Sequence, residues 1–294
     1  MDVEIELVGG LGNQLFGYYA GLYFCSKYNA ELSLDFSNLV IPIHEKSDLR
    51  DFELNPHKQK LRILNKTAPG GLIRKVHDKV IFSFPKLCKA IHPMTEFVID
   101  SSQFGENPSG VKSRLVLRGY FGNFEYFESV KDKYPKLQLK NPSVGYLRLM
   151  REAETIRPIM LHIRRGDYVA HSKVYGLLSS DYYLQAIDFA SKRTKQDEVW
   201  VFSDDYQAAT KILRSCSNRL RLIENEIKLT PAESMMIQSL GIANITANST
   251  FSAWGAALNS YAVEKICPKT YFLDNRETPH WPPSGWTALQ SSWE

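Results

Sequence analysis

Apolar and polar positions follow two periods along this chain, and the changes of period divide it into elements. Val3-Glu4-Ile5-Glu6-Leu7-Val8 alternates with period two and predicts a strand. The glycine turn Gly9-Gly10-Leu11-Gly12-Asn13-Gln14 follows, then an apolar run with helical spacing from Leu15 to about Asn29, then a second short strand at Glu31-Leu32-Ser33-Leu34-Asp35. Residues 42 to 110 sustain no period, and the expectation there is an irregular, partly helical region. A strand from Arg114 to Leu117 leads into Gly119-Tyr120-Phe121-Gly122-Asn123-Phe124-Glu125-Tyr126-Phe127, where aromatic cover of a cleft and plain core packing are both open.

The second half is more regular. Ile159 to Ile163 and Glu198 to Ser203 read as buried strands, with weaker strands at Arg219 to Ile223, Ile242 to Thr246 and Ala262 to Ile266. Helical patterns occupy Val144 to Glu154, Tyr182 to Ser191, Tyr206 to Ser215, Ala232 to Leu240 with Pro231 suited to a first turn, and Phe251 to Tyr261. Strands and helices alternating at this length imply an α/β fold built on parallel sheets. Two domains are expected, residues 1–150 and 151–294.

Composition narrows the classes. A chain of 294 residues with 44% hydrophobic content suits two ordinary globular domains. A net charge of +4 is far from the basic stripe of a nucleic-acid binder, so no nucleic acid is expected as partner. Cys25, Cys88, Cys216 and Cys267 are widely separated, show no C-x-x-C pair and read as buried thiols. The opening residues have neither a basic segment nor an apolar leader, and no later stretch reaches spanning length. The expected location is cytoplasmic, with any membrane association peripheral and through basic surface patches. The Asn-x-Thr sequons at Asn65, Asn244 and Asn248 are then chance matches.

The polar clusters fall at the ends of predicted strands. His162-Ile163-Arg164-Arg165-Gly166-Asp167-Tyr168 closes one strand, Ser203-Asp204-Asp205 the next, and Asn248-Ser249-Thr250-Phe251-Ser252 joins a third to its helix. In open parallel sheets ligands bind at the carboxyl edge, so the three clusters should converge on one site. Adjacent arginines there suit phosphate oxygens, and the guanidinium forks of Arg164 and Arg165 are candidate diphosphate ligands; a surface ion pair with Asp167 or Glu154 is the plainer alternative. Ser249 to Ser252 offer hydroxyls and backbone N–H groups at a helix start, which favour phosphate, or simply cap the helix. Neighbouring strand residues point to opposite faces, so Asp204 and Asp205 should not share a metal. One should accept hydrogen bonds from a base or ribose while the other caps the next helix. His162 lies on the same face as Arg164 by alternation and could reach a nucleotide, or be a satisfied core histidine.

The N-terminal glycines partly match a dinucleotide fingerprint, with Asp35 closing the next strand. Leu15 stands where the third glycine belongs, so the close helix packing of that motif is not expected. The glycines would instead let the chain turn tightly and aim Asn13 and Gln14 into a cleft.

These segments together resemble the bacterial α-1,2-fucosyltransferases of glycosyltransferase family 11. The matching pieces are Gly9 to Phe16, His162 to Tyr168, Phe202-Ser203-Asp204-Asp205, and Asn248 to Gly255, in an order and spacing that span the chain. The resemblance implies a GT-B-like pair of Rossmann-like domains, the N-terminal one facing the acceptor and the C-terminal one holding GDP-fucose. It implies inversion at the anomeric carbon, with no metal and no other cofactor. By position, Arg164 and Arg165 would stabilise the diphosphate leaving group. Gly10, Gly12, His162, Ser203, Asp204, Asn248, Ser249, Thr250, Phe251 and Ser252 would contact the donor. Asn13 would position reactants, as an asparagine does in a similar turn of protein O-fucosyltransferases. Asp167 is the carboxylate nearest the arginines in sequence and the candidate general base. Ala253 stands where many relatives carry tryptophan and Gly17 where glutamine is common, differences that bear on the acceptor pocket.

The expected partners are therefore GDP-fucose and an oligosaccharide or lipid-linked glycan, with transfer to O2 of a galactose-type residue in surface polysaccharide synthesis. The rival readings are a transferase for another nucleotide sugar, an NAD(P)-dependent oxidoreductase, and an inactive glycan- or nucleotide-binding module.

Overall fold

The computed structural model describes residues 1–39, 49–54, 61–64, 95–99, 113–274, 276, 278 and 280–294. It forms two compact units, Met1–Gln138 and Leu139–Glu294. The expected boundary at residue 150 would cut the helix Val144–Ile156. Tyr146, Leu149 and Ala153 of that helix pack with Met160, Trp200, Phe202 and Ile237 of the second unit, which is why the division falls before it.

The first unit is built on a five-stranded parallel sheet. Its strands are β1 (Asp2–Glu6), β2 (Glu31–Asp35), β3 (Leu61–Leu64), β4 (Thr95–Ile99) and β5 (Arg114–Arg118), in the order β3-β2-β1-β5-β4. β3 and β4 fall inside the region read as irregular and partly helical. That reading is corrected for these two segments, and the rest of 42–110 lies outside the described residues apart from 49–54. Helix α1 (Leu11–Tyr28) begins four positions earlier than its apolar run, because Gly10 in an extended conformation serves as N-cap and Leu11 to Gln14 form the first turn. Helix and sheet meet at glycines after all, but later ones. A Cβ on Gly17 would lie 3.3 Å from Leu7 Cδ2 and one on Gly21 2.8 Å from Leu32 Cδ1, so Leu15 does not prevent close packing. The aromatic run after β5 is mostly core: Phe121, Phe124, Tyr126 and Phe127 are buried, and Tyr19 meets Phe127 edge-on at 4.8 Å. Tyr120 alone among those aromatics is exposed.

The alternation that predicted β1 has a consequence in this sheet. Val3, Ile5, Leu32, Leu34, Leu115 and Leu117 lie on the α1 side and are fully buried, whereas Glu4, Glu6, Ser33 and Asp35 occupy the other face and are buried too. Arg114 pairs with Glu4, and Arg118 with Glu6 at 2.9 Å.

The second unit carries a six-stranded parallel sheet, β6 (Ile159–Ile163), β7 (Glu198–Ser203), β8 (Arg219–Leu222), β9 (Ala243–Ile245), β10 (Glu264–Pro268) and β11 (Thr287–Leu289), in the order β11-β10-β9-β6-β7-β8. Alternate residues feed two cores. Ile159, Leu161, Ile163, Val199 and Val201 pack beneath the helix Ser180–Thr194, while Met160, Trp200 and Phe202 pack beneath Val144–Ile156 and Pro231–Gln238. The last of these helices has Pro231 in its first turn, as its sequence predicted, and opens with a capping box between Thr230 and Glu233 that the sequence reading did not pick out. β11 and the short helices Gly166–Ala170 and Ser172–Tyr175 had no clear signal, since each is too short to show a period.

Candidate active site

β9, β6 and β7 are adjacent and parallel, so the three polar clusters leave the same edge of one sheet. They touch one another. Arg165 N donates to Asp204 Oδ1 at 2.7 Å, and Tyr168 Oη donates to the Asn248 carbonyl at 3.0 Å. The His162 and Phe251 rings lie 5.4 Å apart.

The two arginines are treated differently by the fold. Arg164 is partly exposed: its Nη1 lies 2.8 Å from Asp204 Oδ2, its Nη2 donates to Asp167 Oδ1 at 2.5 Å, and its guanidinium lies over the Tyr168 ring. Arg165 is buried, and its fork is occupied. Nη1 and Nη2 both donate to the carboxylate of Glu294, and Nη2 also donates to the Leu178 carbonyl at 3.0 Å. The Nε atoms of both arginines are buried with no hydrogen-bond partner. A guanidinium with an unmet buried donor beside a partly open face is suited to gain an anion's oxygen. Arg164 meets that description in an accessible place; the ligand role expected of Arg165 does not match its occupied fork.

The aspartates divide as expected in one respect. Asp205 is the N-cap of the helix Tyr206–Ile212, its Oδ1 accepting from Ala208 N at 2.9 Å. Asp204 braces the arginine turn, its Oδ1 accepting from Arg165 N and its Oδ2 lying 2.8 Å from Arg164 Nη1. Gly166 is required by this brace, because a Cβ there would collide with Asp204 Oδ2. Ser203 is also inward: its hydroxyl donates to the Asp205 carbonyl and accepts from Asp205 N, both at 3.0 Å.

At the third strand, Asn248 is buried and its amide donates to the carbonyls of Tyr175 and Tyr271, at 2.8 and 3.0 Å. It ties two loops together, so its side chain is structural in this arrangement. Ser249 is the N-cap of Thr250–Ala257 but makes no side-chain capping bond; the Thr250 backbone is hydrogen-bonded to the Tyr271 hydroxyl instead. Ser252 turns its hydroxyl back to the Ser249 carbonyl at 3.1 Å. The feature here suited to an anion is the start of this helix.

His162 is buried, and its Nδ1 has no partner. Burial first, and the neighbouring Arg164 second, hold its pKa down to about 3. It is a neutral imidazole at any ordinary pH, unable to act as a charged phosphate ligand but able to offer or accept one hydrogen bond.

Gly10, Gly12 and Asn13 belong to the first unit. Gly9, at φ +69°, must be glycine both for its conformation and because a Cβ would lie 2.6 Å from Asn13 Nδ2. Gln14 does not face a cleft: it is buried, donating to the Gly9 carbonyl at 3.0 Å and accepting from Leu49 N at 3.1 Å. Asn13 remains half-exposed in the first turn of α1. Among the described residues, the carboxylates near enough to share an ion are Glu4, Glu6 and Asp35, also in this unit.

Sequence reasoning missed Glu294, the Leu178 carbonyl and the aromatic wall beside Arg164. That wall stacks Tyr168 on Tyr175 at 4.5 Å and Tyr175 on Phe272 at 5.7 Å. Glu294 and Phe272 act on residues 129 and 97 positions away, and the nearer Leu178 carbonyl, 13 positions from Arg165, is a backbone group that no motif marks. Of the thiols, Cys25 and Cys267 are buried, Cys216 is half-buried, and Cys88 lies outside the described residues. Asn244 and Asn248 are buried and cannot be glycosylated in the folded chain, and Asn65 lies outside the described residues.

The sequence model of glycosyl transferase family 11 matches residues 2–289. The chain belongs to that family. Among its relatives, an α-1,2-colitosyltransferase of Escherichia coli is 28% identical over 282 residues, covering 92% of each chain. The O-antigen biosynthesis glycosyltransferase WbnK of Escherichia coli is 28% identical over 293 residues, covering 92% of this chain and 95% of its own. Solved structures with the same architecture include NodZ α-1,6-fucosyltransferase soaked with GDP-fucose, at TM-score 0.54 and 12% identity over 94% of this chain and 97% of its own. Another is Arabidopsis thaliana FUT1 in complex with GDP, at TM-score 0.50 and 11% identity over 90% and 69%. The family 11 chain thus has the GT-B-like fold of two Rossmann-like units. Among its described residues no helix is long and apolar enough to cross a membrane.

Proposed function

We propose that this family 11 chain is an inverting transferase that moves L-fucose from GDP-fucose to a hydroxyl of a glycan acceptor, O2 of a galactose-type residue. The observation that carries the reading is the half-open Arg164 guanidinium, braced by Asp204, on the same sheet edge as the start of the helix Thr250–Ala257, whose N-cap Ser249 keeps its side chain off the helix. Both features favour a diphosphate, and its negative charge grows as the sugar–oxygen bond breaks. The diphosphate would take the place of the exposed Asp167 on Nη2 of Arg164 while Asp204 stays in place beneath. His162, neutral and with Nδ1 unmet, would give the nucleotide one hydrogen bond.

In the reaction the acceptor oxygen attacks the anomeric carbon from the side opposite GDP, the carbon–oxygen bond to the β-phosphate breaks, and the acceptor proton passes to a base. Asp167, freed from Arg164, is the carboxylate available for that proton in the second unit. Arg164 supplies the charge that a cation provides in metal-dependent transferases, so we propose transfer without metal or other cofactor. The diverging roles of Asp204 and Asp205 support this. The first unit would serve the acceptor, with Asn13 positioning reactants, and the second would hold GDP-fucose.

The name of the WbnK relative supports a place in O-antigen or similar polysaccharide synthesis, and we propose that the chain acts there on the cytoplasmic side with at most peripheral membrane contact. A second reading is favoured by the colitosyltransferase relative: the sugar would be colitose, which is fucose without its 3-hydroxyl. Incubation with GDP-fucose or GDP-colitose, a panel of galactosides and EDTA, with products identified by mass and NMR, tests both. A metal-independent gain of α-1,2-linked fucose is expected. Transfer of colitose alone would replace the donor, and consumption of an unrelated sugar nucleotide would overturn the reading.

A further inference from the structure

Arg165 is among the most buried charges in the second unit, with a side chain 4% exposed, and its carboxylate partner comes from Glu294, 129 positions along the chain. The segment bearing that partner is fastened to the loop ahead of the helix Ser180–Thr194. Ser179 N donates to the Ser292 carbonyl at 2.7 Å, Glu294 N donates to the Leu177 carbonyl at 2.9 Å, and Leu178 forms an antiparallel bridge with Trp293. Gly176, at φ +71°, lies under the Trp293 ring, where a Cβ would come within 2.6 Å of Cε3. The pairing is therefore built in by backbone bonds and packing and is not a chance meeting of two surface charges.

We infer that Glu294 is a positioning residue for donor binding: it neutralises and fixes Arg165, so that the turn Arg164–Gly166 presents Arg164 alone to the diphosphate. This rests on the reading of Arg164 as the diphosphate ligand. The physical reason is the arrangement of the turn. The Arg165 backbone N–H is held by Asp204 and its side chain by Glu294 and Leu178, so the residue is gripped at both ends. The adjoining residue, Arg164, inherits a fixed backbone from it. Without the carboxylate, Arg165 becomes an unpaired buried charge that must swing out or attract another anion. Its natural substitute partners are Asp204 or Asp167, the two groups that orient Arg164.

The alternative, in which Arg165 itself binds the diphosphate and Glu294 merely occupies it beforehand, predicts the opposite sign. Removing a competing carboxylate would then tighten binding. The test is the GDP dissociation constant of the full chain by calorimetry, for the wild type and for Glu294→Gln. Positioning predicts about tenfold or more weaker binding, the scale on which the partners of ligating side chains act elsewhere. Glu294→Asp, which keeps the charge on a shorter arm, should fall between the two. Unchanged or tighter binding by Glu294→Gln overturns the inference. If that variant does not fold, Glu294→Asp decides, and affinity equal to or above wild type overturns it.

A ligand-free measurement separates this from failure of the donor reading. An Arg165 Nη–H resonance, bonded to Glu294, should be protected from exchange in the wild type and lost in Glu294→Gln. Retention of the protected resonance in the variant overturns the clamp. A wild type that shows the protected resonance yet ignores GDP counts against the donor reading instead.

Discussion

Asp204 and Arg164 are joined across the ends of two adjacent strands, Oδ2 lying 2.8 Å from Nη1, while the other oxygen of the same carboxylate accepts the Arg165 backbone N–H at 2.7 Å. One side chain thus sets both the direction of a guanidinium and the backbone that carries it. Asp204→Asn keeps a single acceptor but loses the charge, and turnover is expected to fall by about 10²-fold, the scale of losing preorganised electrostatics. Gly166→Ala should fall as far through a different cause, since its methyl group displaces Asp204 with no charge removed. Steady-state kinetics on both variants check this, and a near-normal Gly166→Ala would contradict the brace.

Arg164 and Arg165 should separate in their effects. Arg164→Ala removes the accessible fork and is expected to lower kcat by more than about 10²-fold while leaving the melting temperature nearly unchanged. Arg165→Ala opens a buried site and leaves the Leu178 carbonyl without its donor. It should destabilise the second unit by about 1–3 kcal/mol, the cost of an unmet buried acceptor, since the carboxylate left behind on Glu294 is half exposed and regains water. Thermal melts beside kinetics distinguish the two. Equal melting temperatures for both variants would show that the burial of Arg165 carries no energetic weight.

The convergence of the three polar clusters was legible because it needs only element order: parallel strands end on one edge whatever their packing. The roles within the clusters were less so. Arg164 and Arg165 are identical in type and adjacent, and what separates them is Glu294, a contact no local spacing announces. Asp204, Ser203 and Asn248 sit where ligands would be expected, yet the fold uses their side chains to hold loops. Sequence shows that a polar group lies at an edge, but only its neighbours show whether its hydrogen bonds are already taken. β3 and β4 were missed for a related reason. Length is not the cause, since β1, β2 and β5 are as short as β4 and were read; β3 and β4 are the two edge strands of the sheet, and it is their pairing with β2 and β5, not a local period, that sets them apart from the polar, proline-interrupted sequence around them.

Asn248 offers a separate test of structure against ligand contact. Its amide spans the carbonyls of Tyr175 and Tyr271, and the Tyr168 hydroxyl donates to its own carbonyl. Asn248→Ala leaves two carbonyls unsatisfied in a buried place and should cost about 1–3 kcal/mol for each. Asn248→Asp should be as harmful, because a carboxylate cannot donate to either carbonyl. Denaturant unfolding measures this, and wild-type stability in Asn248→Asp would point to a ligand role for the side chain instead.

His162 gives the chain a pH dependence whose sign can be worked out. Its folded-state pKa is held near 3 against 6.5 for the free group, so between those values the unfolded chain binds a proton that the native chain refuses. Stability from the neutral, buried ring is whole above about pH 6.5 and declines as pH falls, by about 1.4 kcal/mol per pH unit while only the unfolded state is protonated. The carboxylates add their own losses at lower pH, so the histidine is isolated by difference. Denaturant unfolding of the wild type and of His162→Gln at intervals from pH 7.5 to 4.5 should show the wild type losing stability more steeply below pH 6.5, and the curves running together above it. Parallel curves across the whole range would mean that His162 takes up its proton in the native state, which requires a partner for the unmet Nδ1 that the ligand-free fold does not provide.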